Sequence, residues 1–293
     1  MNNRISTGEK IFHCINYVFL LCVGIAALYP MLYVLFASFS NPGEFLKHTG
    51  LLIRPVGFSI EGYAKVFEKP EIYIGYGNTF FYVIAGTAIS LALTISYAYV
   101  LSRPGLFWNR FLALVALVSM YFSGGLIPTY LLVKSLHMVD TRWAILLPTA
   151  LSTYNMIIMR TGFAAVPHSL EEAATIDGAS PIKILLRVII PLAMPTIAVI
   201  TLYYAVTQWN SWFNASIYLR SLSLYPLQLF LRDILIMNNQ QDLLVSTDSA
   251  DGLALGEIIK YSTIIVSVVP ILCVYPFLQR YFAKGVMIGA VKG

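Results

Sequence analysis

The sequence predicts an all-α polytopic membrane protein with six transmembrane helices. Two observations carry this: 58% of the 293 residues are hydrophobic and only 11% are charged, and mean hydropathy is +0.74. The apolar residues gather into runs of roughly 20 or more, the length a bilayer requires. A backbone crossing hydrocarbon must satisfy its own hydrogen bonds, so each run is expected to be helical. The pI near 9.0 and net charge of +5 do not indicate a nucleic-acid partner. The basic residues are scattered between apolar runs and form no stripe.

The runs occupy about 11–38, 75–101, 107–135, 142–162, 187–216 and 258–282. The first is too long for the apolar region of a signal peptide, so it is expected to stay attached as a span. In the second, Gly86, Ser90, Thr94 and Ala98 have the small-xxx-small spacing that lets another helix approach closely. A packing seam is favoured there over a pore lining. The third holds "SGG" at Ser123 to Gly125 and then Pro128, which predicts a kink or partial break. Cys14, Cys22 and Cys273 all fall inside apolar runs without metal-ligand spacing, and are expected to be inert core thiols.

Six crossings place both termini on one side. Lys and Arg number ten near that side and nine opposite, but the opposite loops are longer and carry ten of the fourteen acids. The density of positive charge therefore predicts cytoplasmic termini. The outer loops are then about 39–74 and 217–257. The second, with "MNNQQDLLVSTDSADG" at its centre, reads equally as a connector or a docking surface.

Three carboxylates crowd into "SLEEAATIDGASPIKILLRVIIP", residues 169–191. Ser169 and Glu172 have the spacing of a capping box, Gly178 suits the left-handed position past a helix end, and Ser180 with Pro181 restarts a helix. Ala173 and Ala174 would let the first helix enter a narrow groove on another protein. A cap that merely solubilises the loop is an equal alternative, and Glu172 with Asp177 as catalytic acids a lesser one.

Near the end of the fifth run, "TQWNSWFNA" mixes amides with aromatic faces at Gln208, Trp209, Asn210 and Trp212. Such groups suit sugars, which offer hydroxyls at their edges and C–H patches on their faces. Tyr121, Tyr154 and Asn155 invite the same reading. All seven also fit an interfacial aromatic belt or ordinary packing. The near absence of ionisable residues inside the spans argues against a proton or sodium relay. No P-loop sequence occurs, so any energy from ATP must come from another polypeptide.

Glu172-Ala173-Ala174, Asp177-Gly178-Ala179 and the ending at Pro191 resemble the EAA loop of ABC importer permease subunits, with Val188 and Ile190 as mild departures. "NTFFYVIAGTAISLALTISYAYVLSR", "GLIPTYLLVKSLHMVDTRWAILLP" and "QRYFAKGVMIGAVKG" resemble the carbohydrate-uptake branch, of the maltose-permease G-like type. The resemblance covers nearly the whole chain. It implies a single permease domain over residues 1–293 in the plasma (inner) membrane, with a type I importer fold and a cytoplasmic EAA loop at about 167–187. It also implies a companion permease, two ATPase subunits that bind ATP and Mg, an external solute-binding protein and an oligosaccharide substrate. The closest tenor is that of permeases for acidic fragments such as alginate or galacturonide oligomers. Glu172, Ala173, Ala174, Asp177, Gly178, Ala179 and Pro191 would couple the chain to the ATPases. The chain itself is expected to hold no catalytic residue, cofactor or metal. The rivals are a secondary sugar transporter, which would show repeats and a coupling-ion site, and a membrane enzyme using Glu172 and Asp177.

Overall fold

The computed structural model describes residues 7–103, 105, 107–244 and 250–290, and no strand occurs among them. The helices, in chain order, begin with α1 (Thr7–Ser38), α2 (Pro42–Lys47), α3 (Glu61–Phe67) and α4 (Pro70–Ser102). They continue with α5 (Asn109–Tyr121), α6 (Leu126–Ser135), α7 (Trp143–Leu146), α8 (Thr153–Ala164) and α9 (His168–Ile176). Then come α10 (Pro181–Ile184), a π-helical turn at Leu185–Ile189, α11 (Ile190–Leu192) and α12 (Met194–Trp209). Last are α13 (Trp212–Tyr218), a 3₁₀ turn at Leu222–Leu224, α14 (Leu227–Leu244) and α15 (Ala250–Ala290). The chain forms two compact units: residues 1–69 with 233–269, and residues 70–232 with 270–293.

In the first unit, most of α1 is exposed apolar surface, as suits a helix whose solvent is lipid. Only its last turns pack. Ser38 shares a 2.7 Å hydrogen bond with Tyr63, and its carbonyl accepts one from Ser262. Gly62 of α3 approaches α15 so closely that a Cβ would lie 2.6 Å from Ile258. Cys14, Cys22 and Cys273 are exposed. The expectation that they are core thiols is corrected: an apolar run that faces lipid needs no protein core around its cysteines.

By length and composition α1 (from Gly8), α4 and residues Ala254–Cys273 of α15 can each cross a bilayer. Two bent pairs, α5 with α6 and α10–α11 with α12, would raise the number to five. The first pair bends by 115° at the break that "SGG" predicts, where Gly125 has φ +85. The second bends by 86°, which the sequence reading did not anticipate. Pro191 lacks an N–H and removes the donor for the Arg187 carbonyl. The chain before it widens into the π-helical turn, with Ile190 N–H on the Leu185 carbonyl, and turns at Ala193 (φ −92, ψ 10).

Segment 142–162 also departs from a single helix. It divides into α7 and α8 around Pro148, and Ser152 caps α8 by accepting from Asn155 N–H. The twelve residues of α8 rise only about 18 Å, against a hydrocarbon core of roughly 30 Å. In the second unit α4 packs most extensively on α12 and then α8. Gly86, Ser90, Thr94 and Ala98 all lie buried along that helix, so the small-residue stripe is a packing seam.

Candidate functional site

The "EEAATIDGASP" stretch folds as two short helices separated by one left-handed residue. Gly178 has φ +76. Its N–H donates to the Thr175 carbonyl at 3.0 Å and the next N–H, of Ala179, to Ala174 at 2.9 Å, the paired bonds of a Schellman end. Ser180 then caps α10, accepting from Lys183 N–H at 3.4 Å, with Pro181 in the first position. These features match expectation. The capping box does not. α9 starts at His168 behind Pro167, which makes no side-chain cap, and Ser169 falls inside the helix. The fixed φ of Pro167 begins the helix two residues earlier than a Ser169 cap would. Glu172 bonds instead to His168 Nδ1 at 3.2 Å, one turn back.

The two faces of α9 differ. Ala174 and Ala179 pack against a core of α4, α5, α8 and α10–α12 that includes Phe163, Ile189 and Ile200. Glu172, Ala173, Asp177 and Gly178 are exposed, as is Ile176 at 86%. Glu172 and Asp177 thus sit on open surface and share no pocket. Pro191 closes the loop at the bend described above.

The sequence reading missed what fastens this loop. Glu171, one of the three clustered carboxylates, is buried and forms an ion pair with Arg103, their side chains 9% and 15% exposed. Arg103 also lies over the Tyr99 ring, 4.8 Å from its centroid, and burial lowers its pKa from the ordinary value. Tyr99 donates to the Pro181 carbonyl at 3.3 Å, and Arg160 of α8 donates to Leu101 at 3.0 Å. The end of α4 therefore holds α8, α9 and α10 together. Only Arg103's place just past an apolar run signalled this, and sequence separation hid its partner.

Between α8 and α12 lies a cavity of about 710 Å³, lined by Tyr154, Asn155, Ser152 and Thr149 on one side and Tyr203, Tyr204 and Thr207 on the other. Its volume falls within the range of ligand pockets. Tyr204 ties its walls together: its hydroxyl is 2.6 Å from Thr94 Oγ1 and accepts from Ser152 N–H at 3.1 Å. Tyr154 and Asn155 are thus brought together at the cavity, and the other expected path residues are not among its lining. Gln208 donates to Thr149 Oγ1 at 3.3 Å and fills the space above Gly86, where a Cβ would lie 2.7 Å from its Cδ. Trp209 is 5% exposed with its ring edge-on to Phe80. Asn210 donates back to the Val206 carbonyl, Trp212 lies under Arg232, and Tyr121 is exposed at the end of α5.

The comparisons with known proteins identify this arrangement of apolar helices around a surface loop as a membrane transport subunit. Residues 8–288 match the family described as "Binding-protein-dependent transport system inner membrane component", and the chain belongs to it. It is 38% identical to the polygalacturonan/rhamnogalacturonan transport system permease protein YtcP of Bacillus subtilis, over 97% of this chain and 99% of that one. Protein LplC of the same organism is 39% identical, over 97% and 96%. Among solved structures, a chain from the crystal structure of a bacterial ABC transporter involved in the import of the acidic polysaccharide alginate superposes with a TM-score of 0.86. It is 32% identical and the match covers 94% of this chain and 98% of that one. The fold is accordingly that of an ABC importer permease.

Proposed function

We propose that this chain is one of two permease subunits of an ATP-driven importer for oligosaccharides, with acidic uronide oligomers the favoured class. The observation that carries the reading is the two-faced α9: one side is built into the helical core and the other presents Glu172, Ala173, Ile176 and Asp177 to a partner. A half-apolar, half-acidic surface on a short rigid helix suits a groove on each ATPase subunit. When the two ATPases close on ATP and Mg, they would draw the two coupling loops together. α8, which runs into α9, and α12, reached from α10 through the π-helical turn and α11, would then open and close the path between the membrane faces. Sugar delivered by an external binding protein would pass the cavity where Tyr154, Asn155 and Tyr203 combine aromatic faces with polar edges. The uronide class is supported by the polygalacturonan/rhamnogalacturonan and alginate substrates named for one relative and one structural neighbour.

This reading predicts that the chain copurifies with a companion permease and two copies of an ATPase when the neighbouring genes are co-expressed. Glu172→Lys reverses a charge on the docking face. Gly178→Val forces a β-branched residue into the left-handed region at a cost on the order of 1–2 kcal/mol. Both variants should reach the membrane and lose most of the bound ATPase. If both retain ATPase and uptake at the unmodified level, the docking role of α9 is wrong.

A further inference from the structure

In the coupling scheme above, only α8 and α12 continue covalently from the loop, yet α4 is the helix with which both pack most closely. We infer that the Arg103–Glu171 ion pair is a positioning fastener that makes α4 travel with the α9–α10 loop, so that motion of the loop reaches α4 as well as α8 and α12. The inference rests on the coupling reading, and goes beyond it by assigning a third helix and the two side chains that connect it.

Three features of the geometry point to transmission. First, the pair is sheltered, with side chains 15% and 9% exposed. Breaking it would strand a charge where water cannot solvate it freely, so it resists parting under load. Second, it is not alone: Tyr99 holds the Pro181 carbonyl from the same end of α4. The loop is thus gripped at α9 and at the start of α10, which prevents pivoting about a single contact. Third, α4 is fastened again one turn and more deeper, where Thr94 meets Tyr204 and Tyr204 meets Ser152. Tyr204 and Ser152 line the cavity. A displacement that enters at Glu171 therefore arrives at the cavity walls with α4, α8 and α12 held in register. Glu171 faces inward for this purpose, and its neighbour Glu172, at 69% side-chain exposure, is left for the partner.

Proximity alone does not establish coupling, so the test reads movement. In the assembled complex, with native cysteines replaced, spin labels at Ser169→Cys on α9 and Ser96→Cys on α4 report the separation of the two helices. It is measured without nucleotide and with ATP plus vanadate. The unmodified pair should give one distance in both states. Arg103→Glu or Glu171→Arg should add a nucleotide-dependent shift while bound ATPase is retained, and the double swap Arg103→Glu with Glu171→Arg should abolish that shift. Arg103→Lys, which keeps the charge, should behave as unmodified. Should the reversals fail to assemble, Glu171→Gln removes the charge without reversing it and should show the same shift. An invariant distance in the single variants, or a double swap that does not restore it, overturns the inference. Loss of ATPase binding in Glu172→Lys alongside silent reversals would sink the fastener and leave the docking helix standing. Retention of ATPase and uptake in both Glu172→Lys and Gly178→Val would sink the docking helix itself.

Discussion

Asp140 occupies a left-handed conformation, φ +58, and uses it to gather donors from a distant segment. One carboxylate oxygen accepts from the N–H groups of Arg220 and Ser221 at 2.8 and 2.9 Å, and the other from the Ser221 hydroxyl at 2.6 Å. The Ser221 hydroxyl first, and then those two amides, hold its pKa below the ordinary 3.8. A carboxyl with a depressed folded pKa adds stability that is present above 3.8 and is lost as pH falls through the lower folded value. Asn tolerates the same backbone conformation and its amide oxygen can still accept from the two N–H groups, so Asp140→Asn removes the charge together with the acceptor for the Ser221 hydroxyl. The melting temperature of Asp140→Asn in detergent should lie below that of the unmodified chain at pH 7, and the two should converge as the pH is lowered past 3.8. A gap independent of pH would show that the charge is not what matters. Neither this clamp nor the Arg103–Glu171 pair was legible in the sequence, because the partners lie 80 and 68 residues apart and no local period links them. Gly178, Ser180 and Pro181 were legible because each acts on its own backbone.

At the scale of the helices, the apolar runs fall within α1, α4 and α15, although α15 begins at Ala250, ahead of its run, and the glycine pair lies at the break between α5 and α6. The bend before α12 was hidden because a proline in an apolar run fits a kinked span and a sharp turn equally well. The choice is made by packing of the flanking helices. The same limit applies to glycine within a helix. Gly75 and Gly77 stand two residues apart on α4, yet a Cβ on Gly75 would lie 2.9 Å from the Leu227 backbone, and one on Gly77 would meet nothing within 4 Å. Gly77→Ala should therefore stabilise the chain by about 0.5–1 kcal/mol, the gain from replacing helical glycine. Gly75→Ala should destabilise it by about 1–3 kcal/mol, because a backbone neighbour cannot rotate away. Thermal unfolding of the two single variants checks this: shifts of the same sign would contradict the close approach of α4 to the start of α14.

For the whole molecule, the number of crossings decides which surfaces face the ATPases and which the binding protein. Three crossings, or five if each bent pair is one, would put the termini on opposite sides. Six crossings return both termini to the same side as the α9 loop, and that parity depends on segment 142–162 crossing despite its division at Pro148. The six-span expectation requires α7 and α8 together to make one crossing, since α8 alone is too short. Single cysteines in a background lacking Cys14, Cys22 and Cys273 separate the possibilities. Phe107→Cys and Lys134→Cys bracket the α5–α6 pair, and Lys134→Cys and Asp177→Cys bracket the divided segment. Asp177→Cys and Leu222→Cys bracket the bent α12 pair, and all four native residues are exposed. With cytoplasmic termini, a membrane-impermeant maleimide applied to intact cells should label positions 134 and 222, and applied to inverted vesicles should label 107 and 177. If 134 and 177 react from the same side, segment 142–162 is re-entrant. The α9 loop and its acidic face would then lie across the membrane from where ATPases could reach them, and the coupling mechanism would fail on topology alone.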